Sequence, residues 1–208
     1  MKNILCYGDS NTYGYVPGKG GRFPKDVRWT GILQKMLGEE YDVIEEGCNS
    51  RTTVYVDPKE PWLCGETYLR PCLKSHKPLD TVIIMLGSND LKHYFYTNPR
   101  NIADGAGRLV DITKEYLATQ QDYLPQIILV APPHILPGIE SAFDDDEHHA
   151  EAAPASHEFA AEYLRVAKEK GCEYLDAAAV CSISPLDCIH MTAEDHDALA
   201  KALYSMIK

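Results

Sequence analysis

Short apolar runs recur along the chain, and helical or loop patterns separate them. Ile4-Leu5-Cys6-Tyr7 lies within the first, Lys2 to Tyr7; Tyr41 to Glu45 is the second and Asp80 to Leu86 the third. Gln126 to Val130 and Glu173 to Asp176 complete the set. The third is apolar without a break from Val82 to Leu86, the pattern of a parallel strand covered on both faces. Between these runs the period changes. Trp29, Ile32, Leu33, Met36 and Leu37 follow three-and-four spacing and stop at Gly38, which predicts a helix over Arg28 to Leu37. Pro99 to Thr119 reads the same way, as do Ser156 to Lys170 before Gly171 and a last helix opened by Thr192 with Glu194 or Asp195. Trp62 to Lys77 is also helical in pattern, with Pro71 expected to kink or interrupt it. This alternation predicts an α/β fold: a three-layer α/β/α sandwich around a mostly parallel five-stranded sheet, as one domain over residues 1–208.

Parallel strands open their carboxyl ends at one edge, where α/β proteins keep their ligand chemistry. Three small polar loops follow the first three strands. They are Gly8-Asp9-Ser10-Asn11-Thr12-Tyr13-Gly14, Glu46-Gly47-Cys48-Asn49-Ser50-Arg51 and Gly87-Ser88-Asn89-Asp90. Pro17 to Pro24 is dense in glycine and proline and reads as a surface loop. His134 to Ala153 is a long connection, the kind that forms a channel wall or a subunit contact. Its run Asp144 to His149 reads as a solvated acidic stretch, because its residues stand in tandem without metal-ligand spacing.

Charge narrows the partners. A net charge of −11, from 31 acidic and 20 basic residues, argues against nucleic-acid and anionic-membrane surfaces. It favours a neutral small-molecule substrate. Seven cysteines without a C-x-x-C pair, and no signal-peptide pattern, predict free thiols and a cytoplasmic protein. No apolar run is long enough to span a bilayer.

Chemistry enters through Ser10. A serine hydroxyl is a weak nucleophile and needs a base within hydrogen-bond reach. Asp187-x-x-His190 supplies base and acid three residues apart, directly before the last helix. The acid would hold the imidazole in its working tautomer. A developing oxyanion needs donors, and Ser10 N–H, Gly47 N–H and the Asn89 amide offer one from each loop. Asn11, Asn49, Arg51 and His93 fall near the expected mouth and suit a hydroxylated substrate. Asp9 is expected to brace its turn, and His196 to be an exposed helix residue.

Gly8-Asp9-Ser10, Gly47, Gly87-x-Asn89-Asp90 and Asp187-x-x-His190 together resemble the four sequence blocks of the SGNH (GDSL-like) hydrolases. The first block reads Asn11 where many members carry leucine. The run from Gly8 to Tyr15, Glu45-Glu46-Gly47 with Arg51-Thr52-Thr53, and Val82 to Gly87 resemble the arylesterase and acyltransferase branch. The resemblance implies a flavodoxin-like sandwich and a serine esterase of short-chain acyl or aryl esters. In that role Ser10 is the nucleophile, His190 the base and Asp187 the acid, with Ser10, Gly47 and Asn89 as the oxyanion hole. It also implies a homo-oligomer with a narrowed channel, and no metal or organic cofactor. Acyl transfer, a side activity of the branch, is weakened where Tyr13 and Tyr15 replace tryptophans; Tyr13 is taken with Asn11, Asn49 and His93 as substrate-binding. Alternatives within the family are a carbohydrate (xylan-type) acetyl esterase, a thioesterase or a lysophospholipase. Outside it stands a non-catalytic flavodoxin-like binding module, although the phosphate-loop glycine motifs are absent.

Overall fold

The structure, a computed structural model, describes residues 1–143 and 147–207. Five parallel strands form one sheet in the order β2-β1-β3-β4-β5. They are β1 (Lys2–Gly8), β2 (Tyr41–Gly47), β3 (Thr81–Met85), β4 (Gln126–Ala131) and β5 (Glu173–Asp176). β1 lies inside the sheet between β2 and β3, with Gly8 opposite Gly47 on one side and Met85 on the other.

The strand period of two sorts the core into two layers. Leu5, Tyr7, Val82, Ile84 and Leu129 belong to one buried cluster, Ile4, Cys6, Ile83, Ile128 and Val130 to the other. The first is covered by α3 (Gly65–His76), α4 (Pro99–Leu117) and α6 (Phe159–Lys170), which supply Leu69, Leu109 and Val166. The second is covered by α2 (Trp29–Leu37) and α7 (Ala193–Tyr204) through Trp29, Leu33, Leu199 and Leu203. The remaining helices are short: α1 (Ser10–Tyr13) and α5 (Ala152–Ser156). The chain passes from β1 to β2 on one side, then returns to place β3 on the other. That reversal opens a crevice beyond the carboxyl ends of β1 and β3.

Several elements differ from the sequence pattern. β2 continues through Glu46 and Gly47, and the Cys48 N–H bonds the Gly8 carbonyl at 3.1 Å beyond it. The segment Trp62 to Lys77 begins as a short turn at Pro61–Leu63, and α3 then runs through Pro71. Pro71 and Thr67 are both exposed, so water can serve the carbonyl that proline leaves without a donor. The helix expected over Ser156 to Lys170 is α6, which starts at Phe159, and Ser156 instead closes α5. The Ser156 hydroxyl donates to the Ala153 carbonyl at 2.7 Å and accepts the Ile135 N–H at 2.9 Å.

The long connection is anchored rather than fully solvated. Ile135, Ile139, Ala152, Ala153 and Ile189 form a third cluster beneath it. Glu147 is ion-paired and His148 is buried, contrary to the expected solvated run; Asp144, Asp145 and Asp146 lie outside the described residues. Among the described residues, no helix is long and apolar enough to cross a membrane.

Candidate active site

β1 delivers Ser10 to the crevice. The Asp9 carboxylate accepts the Asn11 N–H at 2.9 Å and caps the single turn of α1. Ser10 opens that turn, so its own N–H has no acceptor within the helix. Burial pushes the Asp9 carboxyl up to about 6, against the pull of the Asn11 N–H and the charges of His190 and Arg51.

Asp187 and His190 share one tight turn ahead of α7. The Asp187 Oδ2 lies 2.9 Å from His190 Nδ1, and its Oδ1 accepts the His190 backbone N–H at 3.1 Å. Gly18 N–H adds a third donor to the carboxylate at 3.1 Å. Cys188, between them, has φ +63°, a left-handed conformation costly for a side chain with a Cβ. Burial alone would raise the Asp187 carboxyl. The hydrogen bond and charge of His190, with nearby backbone N–H groups, outweigh it and hold the carboxyl below its ordinary value. The other imidazole nitrogen, Nε2, lies 2.9 Å from Ser10 Oγ. The ring lies tilted against Tyr15 at 4.3 Å between centroids and meets Phe143 edge-on at 6.2 Å.

The loop after β3 is stitched to the loop after β2. The Asn89 side-chain amide donates to the Arg51 carbonyl at 3.2 Å, leaving its second N–H for the crevice. The buried Asp90 carboxylate accepts the Thr53 N–H at 2.9 Å and the Thr53 hydroxyl. Burial drives the Asp90 carboxyl up to about 7, opposed by those Thr53 hydrogen bonds. Two glycines make the approach possible. A Cβ on Gly47 would sit 2.1 Å from the Tyr13 nitrogen, and Gly87 combines φ +140° with a Cβ position 2.2 Å from the Tyr163 hydroxyl.

Ser10 and His190 open onto a pocket of about 210 Å³. Tyr15, Phe143 and Ile189 form its apolar side, and Asn49, Ser50, Asn89, Lys92 and Glu147 its polar side. Lys92 is buried, with its Nζ 2.6 Å from Glu147 and 3.5 Å from Asp57. Burial would raise Glu147, but hydrogen bonds from Lys59 and Lys92 hold its carboxyl below its ordinary value.

The expected residues divide. Ser10, Asn49, Asn89 and His190 line this pocket, and Asp187 stands behind the imidazole. Asn11 does not line the pocket: its amide donates to the Ile189 carbonyl at 3.0 Å and accepts the Met191 N–H at 2.9 Å. Tyr13 lies outside the pocket, under the Arg22 guanidinium at 4.4 Å. His93 lines a separate cavity, its ring stacked on His149 at 4.2 Å. Arg51 is buried on Tyr7, its guanidinium 4.3 Å from that ring. His196, expected to be exposed, is fully buried, and its Nδ1 accepts the Trp29 N–H at 3.3 Å. Phe143 and Glu147, inside the connection expected to form a channel wall, line the pocket, and Lys92, which carries no sequence signal of its own, joins them. No periodic signal marks them, because irregular segments bring them to the mouth.

A family model described as the GDSL-like lipase/acylhydrolase family matches residues 6–198. Among solved structures, an aryl esterase from M. smegmatis is 38% identical, with a TM-score of 0.88 over 100% of this chain and 98% of that one. A carbohydrate acetylesterase from Sinorhizobium meliloti is 36% identical, with a TM-score of 0.91 over 100% and 98%. A lipase/acylhydrolase from Enterococcus faecalis, 19% identical with a TM-score of 0.68 over 100% and 95%, shares the fold. No curated protein matches the sequence.

Proposed function

The chain belongs to the GDSL-like lipase/acylhydrolase family and is a carboxylic ester hydrolase, and from that premise we propose that it cleaves short-chain acyl and aryl esters through an acyl-Ser10 intermediate. The observation that carries this reading is the continuous relay from Asp187 through His190 to Ser10, each contact 2.9 Å long. His190 Nε2 takes the hydroxyl proton as Ser10 Oγ attacks the ester carbonyl. Asp187 keeps Nδ1 protonated and steadies the imidazolium. The tetrahedral oxyanion is met by the Ser10 N–H, the Gly47 N–H and the Asn89 amide. His190 then protonates the departing alcohol, and water, deprotonated by the same imidazole, releases the acid.

The small pocket supports a short acyl group, since sites for drug-sized ligands occupy roughly 300 Å³ or more. Acetylated carbohydrate is the second reading. It is supported by the polar side formed by Asn49, Ser50, Lys92 and Glu147, and by the likeness to the S. meliloti carbohydrate acetylesterase. The substrate is a small molecule, and acyl transfer to alcohols is a side activity to be measured beside hydrolysis. The proposal includes a reducing, cytoplasmic setting, supported by seven free cysteines. It also includes self-association, supported by exposed Val56, Trp62, Tyr96 and Leu186 and checked by light scattering.

The test is p-nitrophenyl ester hydrolysis by the wild type, Ser10→Ala and His190→Ala, over acetate to octanoate and an acetylated sugar. Wild-type turnover that falls by about a thousandfold or more in both variants supports the mechanism. Equal rates in all three would overturn it.

A further inference from the structure

Away from the hydrolytic pocket, β2 and α3 bring together three side chains that favour metals. Cys72 and His76 stand four residues apart on α3 and so share one face of the helix. Glu46 reaches them from the end of β2. Its Oε1 lies 2.8 Å from His76 Nε2, and one ligand atom from each of Glu46, Cys72 and His76 falls within 4.8 Å of the other two. Cys72 is buried, while Glu46 and His76 are partly exposed, so the cluster is closed on the core side and open to solvent on the other.

We propose that Glu46, Cys72 and His76 form a binding site for one Zn²⁺ ion. Thiolate, imidazole and carboxylate are the donors zinc takes, and softer or harder sets would select other ions. Tetrahedral coordination with bonds of about 2.0–2.3 Å sets ligand atoms roughly 3.4–3.7 Å apart. The Glu46 and His76 atoms must therefore part slightly and the sulfur move inward, within the reach of side-chain rotation. Water takes the fourth position from the open side. On coordination the Cys72 thiol releases its proton to solvent. Burial, with the charge of Glu46, pushes the free Cys72 thiol up to about 12 and Arg51 pulls it down, so ion binding must drive the loss of the proton. A thiolate and a carboxylate cancel the charge of the ion, so Arg51 meets a neutral complex.

The ion would tie β2 to α3 at the residue preceding Gly47. The Glu46 carbonyl already accepts Arg51 Nη1, which also donates to the Gly8 carbonyl at 2.9 Å. The site is thus a fastener for the strand ends and takes no part in ester cleavage.

Equilibrium dialysis of the reduced protein against Zn²⁺, with bound metal quantified, tests the proposal. The expected result is one ion per chain, with affinity lowered by at least about tenfold in His76→Ala and in Glu46→Gln. Co²⁺ in place of zinc should give a thiolate-to-metal charge-transfer band that Cys72→Ser abolishes. Because Cys72 is buried, that variant is read beside the partly exposed His76→Ala, with both folds checked by circular dichroism. No uptake by the wild type, unchanged affinity in His76→Ala and Glu46→Gln, or a cobalt complex without the thiolate band would overturn the site. None of these outcomes bears on the esterase mechanism, which is read from ester hydrolysis alone.

Discussion

His190 Nε2 sits 2.9 Å from Ser10 Oγ across 180 residues of sequence. Ser10 is held by the end of β1 and His190 by a turn whose Asp187 accepts hydrogen bonds from the Gly18 N–H and the His190 N–H. Base and nucleophile are therefore fixed by separate parts of the sheet edge, and each can be disturbed alone.

Asp187→Asn keeps a side chain of the same shape but lets its NH₂ donate toward Nδ1, which selects the wrong tautomer of His190. kcat should fall by about a thousandfold to ten-thousandfold with little change in KM. Steady-state kinetics on p-nitrophenyl acetate reads this, and a fall below tenfold would remove Asp187 from the relay.

Asn89→Ala removes the amide expected to donate to the oxyanion and also its bond to the Arg51 carbonyl. A drop in kcat of about a hundredfold to a thousandfold is expected. A change confined to KM would assign Asn89 to ground-state binding instead.

Asn11→Ala leaves the Ile189 carbonyl and the Met191 N–H without their partner on either side of His190. The expected loss of stability is roughly 1–3 kcal/mol, read as a lower urea midpoint. Because Asn11 lies outside the pocket and braces the residues on either side of His190, kcat should fall while KM holds; a selective rise in KM would return it to substrate binding.

His196 gives a pH signature. Burial, with a smaller contribution from the charges of Arg28 and His190, lowers its imidazole from 6.5 to about 4, against the pull of Asp195. The unfolded chain takes up this proton near pH 6.5 and the folded chain only near pH 4, so acid favours unfolding across that window. The stability held by neutral His196 is complete above that range and is lost as pH falls through it, on the order of 3 kcal/mol in all. His196→Asn, which keeps an acceptor for the Trp29 N–H, should flatten the melting temperature between those pH values. An unchanged acid slope would rule His196 out as the titrating group.

The sheet was legible because its strands are short apolar runs, and a parallel arrangement puts every following loop at one edge. Ser10, Asn89, Asp187 and His190 are legible only in combination, since a serine cap, an Asn-Asp turn and a capping histidine each have ordinary structural uses alone; the structure brings the four to one sheet edge. What position along a loop does not encode is side-chain direction. Within the single turn of α1, Asn11 points back to Ile189 and Met191 while Tyr13 turns out to Arg22. His196 was misread for a different reason. It lies three residues before Leu199 and seven before Leu203, on the apolar face of α7, and its polar ring masked that spacing. Glu147 and His148 looked solvated because neither the partner Lys92 nor the burial of His148 is local in sequence.

The distance in sequence between Ser10 and His190 also sets what a refolding chain needs before it is active. β1 pairs with β2 and β3, so the nucleophile's turn can form from the first half of the chain. The base arrives only when the segment before α7 docks beneath the long connection, through the bond from the Leu136 N–H to the Cys188 carbonyl. A refolding chain with its sheet complete but this segment undocked holds a serine with nothing to deprotonate it. Recovered hydrolysis therefore requires this docking and not the sheet alone, so it should not precede the return of secondary structure.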